Sequence, residues 1–96
     1  MENKKLDDNL ILVGMRPIMN YVFAVETQLK RNTEIFISAR GKFISKAVDI
    51  LEISKRNHKD LKVSIETESS TFKNKEEREI NVSCIKIKIN SERRLE

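Results

Sequence analysis

Ninety-six residues, 39% hydrophobic and 35% charged with a net charge of +4, describe one small domain with a modest core. Two glycines and one proline exclude fibrous and low-complexity classes, and Cys84, the single cysteine, excludes an intramolecular disulfide and any cysteine-based zinc site within one chain. A reducing, cytoplasmic setting is expected. The longest early apolar run, Leu10 to Val13, is far short of a signal peptide or of the roughly 18 to 20 apolar residues that span a bilayer, so no membrane partner is expected.

Residues 1–8 read as a polar tail. Leu10-Ile11-Leu12-Val13 suits a strand covered on both faces, ended by Gly14. Pro17 is well placed to open a helix, because its missing N–H removes no hydrogen bond there. That helix is predicted from Pro17 to about Arg31, with Ile18, Val22, Val25 and Leu29 on one face and Asn32 as a left-handed stop. Ile35, Phe36 and Ile37 mark a second buried strand from Glu34 to Ala39. A strand–helix–strand order requires a crossover, which predicts parallel neighbours joined in the right-handed sense.

Arg40-Gly41-Lys42 reads as a basic turn leading to a second helix, from about Phe43 to Arg56. Phe43, Ile44, Ala47, Val48, Ile50, Leu51 and Ile53 fill an arc of about 220° on it, where a helix lying on one sheet needs little more than about 100°. The excess predicts a second packing surface, and a second copy of the chain is its simplest supplier.

Leu61, Val63 and Ile65 then alternate with polar residues, as in a strand with one wet face. Ile80 and Val82 resume the alternation, and Ile85, Ile87 and Ile89 continue it in the opposite phase. The slip near Ser83-Cys84 predicts a bulge or a change of covered face. A polar tip lies between these two strands, and residues 91–96 read as a charged tail. The expected fold is α/β: a two-layer sandwich in the order β-α-β-α-β-β, with a mixed four-stranded sheet, both helices on one face and a long terminal hairpin, all in one domain over residues 9–90.

Catalytic constellations do not assemble. His58, the only histidine, lies in a lysine-rich turn and reads as a surface residue, and neither Ser45 nor Cys84 has the partners of a triad. With two glycines, no phosphate-binding glycine motif can be formed. No enzyme, cofactor or metal is expected.

Charge placement is more informative. Between Ser38 and Lys62, seven basic residues face three acidic ones, an excess equal to that of the whole chain. Arg16 precedes the first helix as Arg40 and Lys42 precede the second. In parallel strand–helix units both such turns fall on one edge of the sheet, beside helix N-termini that favour phosphate. The tip region, Glu66 to Glu79, is acidic overall despite Lys73, Lys75 and Arg78.

Two motifs, Gly14-Met15-Arg16-Pro17-Ile18-Met19-Asn20-Tyr21-Val22 and Ala39-Arg40-Gly41-Lys42-Phe43-Ile44-Ser45-Lys46-Ala47-Val48-Asp49, at this spacing, resemble the Alba family of archaeal chromatin proteins. The resemblance covers about residues 9–90. It implies a homodimer that binds double-stranded DNA and, in many members, RNA, through backbone phosphates, with the hairpin arms along the minor groove, and a chromosome-associated location. Carried over by position, it implies body contacts from Arg16, Asn20, Arg40, Gly41, Lys42 and Lys46, and arm contacts from Lys73, Lys75 and Arg78. It also implies a dimer interface on the second helix and last two strands, involving Phe43, Ala47, Ile50, Leu51, Ile53, Ile85 and Ile87. Three departures stand out. Met15 replaces a lysine that relatives acetylate. His58 replaces an aromatic residue used for dimer–dimer contact along DNA, so cooperative spreading by that contact is not expected. The arm is short, lacks glycine and is acidic. Alternative readings are an RNA-binding ribonucleoprotein component and a protein-interaction module with an incidental basic rim.

Overall fold

Strands of alternating isoleucines meet two helices whose apolar residues recur every three or four positions, and the two patterns close on each other. In the computed structural model, which describes residues 9–91, the order is β1 (Leu10–Leu12), α1 (Ile18–Arg31), β2 (Glu34–Arg40), a single 3-10 turn (Gly41–Phe43), α2 (Ile44–Asn57), β3 (Leu61–Lys73) and β4 (Glu79–Ser91). The sheet order is β1-β2-β4-β3. β1 runs parallel to β2, as the crossover through α1 requires, while β4 is antiparallel to both β2 and β3. This is the expected two-layer α/β architecture.

The core lies between one sheet face and the helices. Val22, Val25 and Leu29 of α1 and Ala47, Ile50 and Leu51 of α2 are buried against Ile35, Ile37 and Ala39 of β2 and Ile85, Ile87 and Ile89 of β4. All of these strand residues have odd numbers, so the pleat sends them to the same side. The even-numbered positions form the other face, which no helix covers among the described residues. Leu12 therefore remains 68% exposed, and the expectation that β1 is covered on both faces is wrong.

One local expectation is met in one of its two forms, and two others change. The phase slip in β4 is not a bulge: β3 and β4 pair without interruption from Leu61 opposite Ser91 to Lys73 opposite Glu79. The slip marks a change of face, with Ile85, Ile87 and Ile89 facing the core and Ile80 and Val82 on the opposite side of the projecting arm. Asn32 is extended (φ −128°, ψ 145°) rather than left-handed, because the chain leaves α1 directly toward β2 while the Asn32 N–H still bonds the Gln28 carbonyl at 2.8 Å. Ser91, expected to begin a tail, is buried as the last residue of β4. The expected polar tails, residues 1–8 and 92–96, lie outside the described residues.

Candidate nucleic-acid interface

Both strand-to-helix turns lie at the same end of the sheet, and Lys46 ties them together. Lys46 lies in the first turns of α2, on the flank turned toward α1. Its ammonium donates to the Gly14 carbonyl at 2.7 Å and to the Arg16 carbonyl at 2.8 Å. It also lies 5.6 Å from the Tyr21 ring centre and 5.7 Å from that of Phe43. The Tyr21 hydroxyl accepts from the Gly14 N–H at 2.8 Å and the Arg16 N–H at 3.2 Å. The β1–α1 loop is thus held from both sides, its carbonyls by α2 and its N–H groups by α1. Charge-assisted bonds of this kind are short and about twice as strong as neutral ones.

Lys46, expected among the phosphate contacts, therefore has a competing role within the fold. Two of its three N–H donors are directed inward, and the side chain is half-buried. Its effect is to hold Arg16 beside the Arg40–Lys42 turn. Arg16, Asn20, Arg40, Gly41 and Lys42 are all exposed. Gly41 has φ +58°, a left-handed geometry that favours glycine, and it swings the chain from the end of β2 into the 3-10 turn before α2. Neither helix has a side-chain N-cap or an acidic residue in its first turn. The positive ends of both helix dipoles therefore reinforce the basic side chains rather than being neutralised locally.

The arm is built differently. Lys73, Lys75 and Arg78 are exposed, but Lys73 stands opposite Glu79 and the Arg78 Nε lies 3.8 Å from Glu76. At the tip the Asn74 side-chain oxygen accepts from the N–H groups of Glu76 and Arg78, at 2.9 and 3.0 Å. Glu77 adopts φ 62° there without being glycine.

The expected dimer residues are mostly consumed by the protomer's own core. Ala47, Ile50, Leu51, Ile85 and Ile87 are buried within a single copy and cannot present a surface to another. Ile53 lies on the same flank of α2 as Lys46, the flank turned toward α1. Phe43 is half-buried under Lys42 and Lys46. The apolar surface that remains is on the opposite flank of α2 and the helix-side face of edge strand β3. It comprises Val48 at 36% exposure, Ile65 at 50%, and the half-buried Ile44, Leu61 and Val63.

His58 is not a detached surface residue. Its Nε2 lies 2.7 Å from the Glu26 carboxylate of α1, and its backbone N–H closes α2 on the Ser54 carbonyl. It joins the two helices at the end opposite the basic turns. Among the described residues no group of three or more His, Cys, Asp or Glu could hold a metal, and no helix is long and apolar enough to cross a membrane. Sequence reasoning missed Tyr21 and Phe72. Tyr21 could have been noticed as a lone polar-tipped aromatic one turn after Pro17. Phe72 could have been noticed as an isolated aromatic in a polar stretch.

Known proteins share the sequence pattern and the fold of this chain. The family model described as Alba matches residues 9–72. A DNA/RNA-binding protein Alba from Methanothrix thermoacetophila is 42% identical over 88 residues, covering 84% of this chain and 93% of the relative. Its counterpart from Picrophilus torridus is 46% identical over 87 residues, with the same shares covered. Among solved structures, Alba from Thermoplasma volcanium matches with a TM-score of 0.78 at 42% identity, over 85% of this chain and 99% of that one. ALBA1 from Trypanosoma brucei, at 23% identity and a TM-score of 0.69 over 88% of this chain and 69% of that one, shares the fold.

Proposed function

The chain belongs to the Alba family, and from that premise we propose that it is a homodimeric nucleic-acid-binding protein that grips duplex backbones through the edge formed by Arg16, Asn20, Arg40, Gly41 and Lys42. The observation that carries this reading is the Lys46 brace, which brings two basic turns from distant parts of the chain onto one rim beside two uncapped helix N-termini. Relatives named for DNA and RNA binding, at 42–46% identity over most of their length, support the same partner class. The reading is of a binding protein, with chromosomal DNA as the main partner, structured RNA as the second, and an architectural role in the cell.

Dimerisation follows from the uncovered apolar flank of Ile44, Val48, Leu61, Val63 and Ile65. A two-fold pairing there places two basic edges and two arms on one particle. The arms extend the footprint along the minor groove, with Lys73, Lys75 and Arg78 as their cations. The engagement of His58 by Glu26 favours discrete dimers over a filament built through that helix end.

A salt series tests the reading, with oligomeric state measured alongside by sedimentation. Backbone binding predicts a linear fall of log affinity with log salt, at a slope of roughly −0.9 for each phosphate neutralised. Arg40→Glu with Lys42→Glu should weaken binding to unrelated duplexes equally, by on the order of 100-fold at low salt. Survival of binding at unaltered slope would show that the contact surface lies elsewhere. Competition between duplex DNA and structured RNA at fixed salt ranks the two partners.

A further inference from the structure

The arm has one polar and one apolar side, and the apolar side adjoins the cationic edge. On the odd-numbered side Lys73 faces Glu79 and the Thr71 hydroxyl bonds the Asn81 side-chain oxygen at 2.9 Å. On the even-numbered side Phe72 stands directly opposite Ile80, at 43% and 42% exposure, and the row continues through Val82 to Cys84, which pairs with Arg40 of β2. The Arg40 guanidinium reaches back over this row and lies 5.4 Å from the centre of the Phe72 ring. Glu68 flanks Cys84 on the side away from Arg40 and on the same face, so it repels phosphate from the β3 side of the row's inner end and leaves the Arg40 side as the place for negative charge.

We propose that Phe72, with Ile80 beside it and Arg40 against it, is a stacking site for an unpaired nucleobase whose phosphate is held by Arg40. This deepens the reading of the basic edge as a nucleic-acid surface and rests on it. A nucleotide joins a flat, weakly polar ring to a phosphate within one sugar's reach. Phe72 offers a flat ring, and the exposed Arg40 guanidinium that lies over it offers a cation that can turn to the phosphate as the base takes its place on the ring. Aromatic stacking on bases tolerates any sequence, because every base has a π face. In an intact duplex those faces are hidden between neighbouring pairs, so the site adds nothing to backbone binding there. It adds affinity where a bulge, loop or single strand releases a base. The consequence is structure selectivity from a protein that otherwise reads only phosphates.

The test compares a perfect DNA duplex with the same duplex carrying one bulged nucleotide, titrated with the wild-type protein, Phe72→Leu and Phe72→Trp. Phe72→Leu keeps an apolar side chain of similar size on an exposed position, and unchanged far-UV circular dichroism confirms its fold. The expected result is a loss of about 10-fold on the bulged duplex, less than about 2-fold on the perfect one, and an unchanged salt slope. Phe72→Trp should restore the preference. A 5-iodouracil at the bulge should photocrosslink to the peptide containing Phe72. Equal loss on both duplexes would mean a general groove contact and overturn the proposal, as would no loss on either or a crosslink mapping to the body alone. Absence of wild-type binding to either duplex at low salt would instead overturn the function on which the site rests.

Discussion

The rim at the helix N-termini and the hairpin arm both carry basic residues, but only the rim is braced. At the rim, Lys46 and Tyr21 fix four backbone groups of the Gly14–Arg16 segment from two different helices. Arg16 is therefore presented from a loop that the core holds in place. The arm is supported by its own strand ladder, a four-residue tip network and the stacking of Arg40 on Phe72. Its cations stand among acids, whereas Arg16 and Lys42 of the rim stand beside uncapped helix ends. The difference separates two ways of meeting a polyanion. A braced rim has already lost conformational entropy on folding and would bind with little further ordering, while an exposed arm held only by its own ladder and tip would lose more on contact. On the proposed reading, affinity would belong to the rim and adaptability to the arm.

Removing the brace should have the largest effect on that contrast. Lys46→Met deletes two charge-assisted bonds to carbonyls in a half-buried place, for about 2 kcal/mol of stability and about 10 °C in melting temperature. Binding should fall by on the order of 10-fold because Arg16 is no longer held on the rim. Lys42→Met provides the contrast: it should lower affinity by a similar factor while leaving the melting temperature within about 2 °C, since its exposed ammonium holds no backbone group among the contacts described. Differential scanning calorimetry of both variants without nucleic acid, followed by titration with it, reads the two effects separately. Equal melting temperatures for the two variants would mean that Lys46 is a phosphate contact like its neighbour.

The elements themselves were legible because their periods differ. A spacing of three and four marks α1 and α2, and a spacing of two marks β3 and β4, with Pro17 and Gly41 punctuating the turns. The role of Lys46 was not legible. A lysine just after a basic turn looks like a phosphate contact, and its partners within the fold are carbonyls at Gly14 and Arg16, at least 30 residues away in sequence and carrying no side-chain signal. The expected dimer residues overlap the protomer's own core for a related reason. A wide apolar arc tells how much of α2 is covered, but not which part its own sheet and α1 already cover. Ile50 and Leu51 read the same whether the partner is the same chain or another. Only burial separates them from Val48 and Ile65.

A smaller effect is expected at the arm's charges. Glu76→Gln with Glu79→Gln removes two acids beside Lys75, Arg78 and Lys73. If the arm follows a groove, affinity should rise about 3-fold at low salt and the gain should disappear near 0.5 M salt, where exposed charges are screened over a few ångströms. Fluorescence anisotropy across the salt range measures it. Unchanged affinity at low salt would confine the contact to the rim.

The smallest effect concerns the tip's backbone. Asn74 and Glu77 close a tight turn through the Glu77 N–H to the Asn74 carbonyl at 2.9 Å, and Glu77 then takes the left-handed position that ends this class of loop. Glycine holds that conformation without the side-chain clash, which for other residues costs about 1 kcal/mol. Glu77→Gly should therefore raise stability by roughly 0.5–1 kcal/mol relative to Glu77→Gln, which removes the same charge and keeps the side chain. Urea denaturation of the pair isolates the backbone effect from the charge effect. A gain confined to the free protein, with the affinity of both variants equal, would show that the arm's flexibility and not its strain governs how it meets nucleic acid. A gain in stability with a loss of affinity would show that the strained tip is already shaped for its partner.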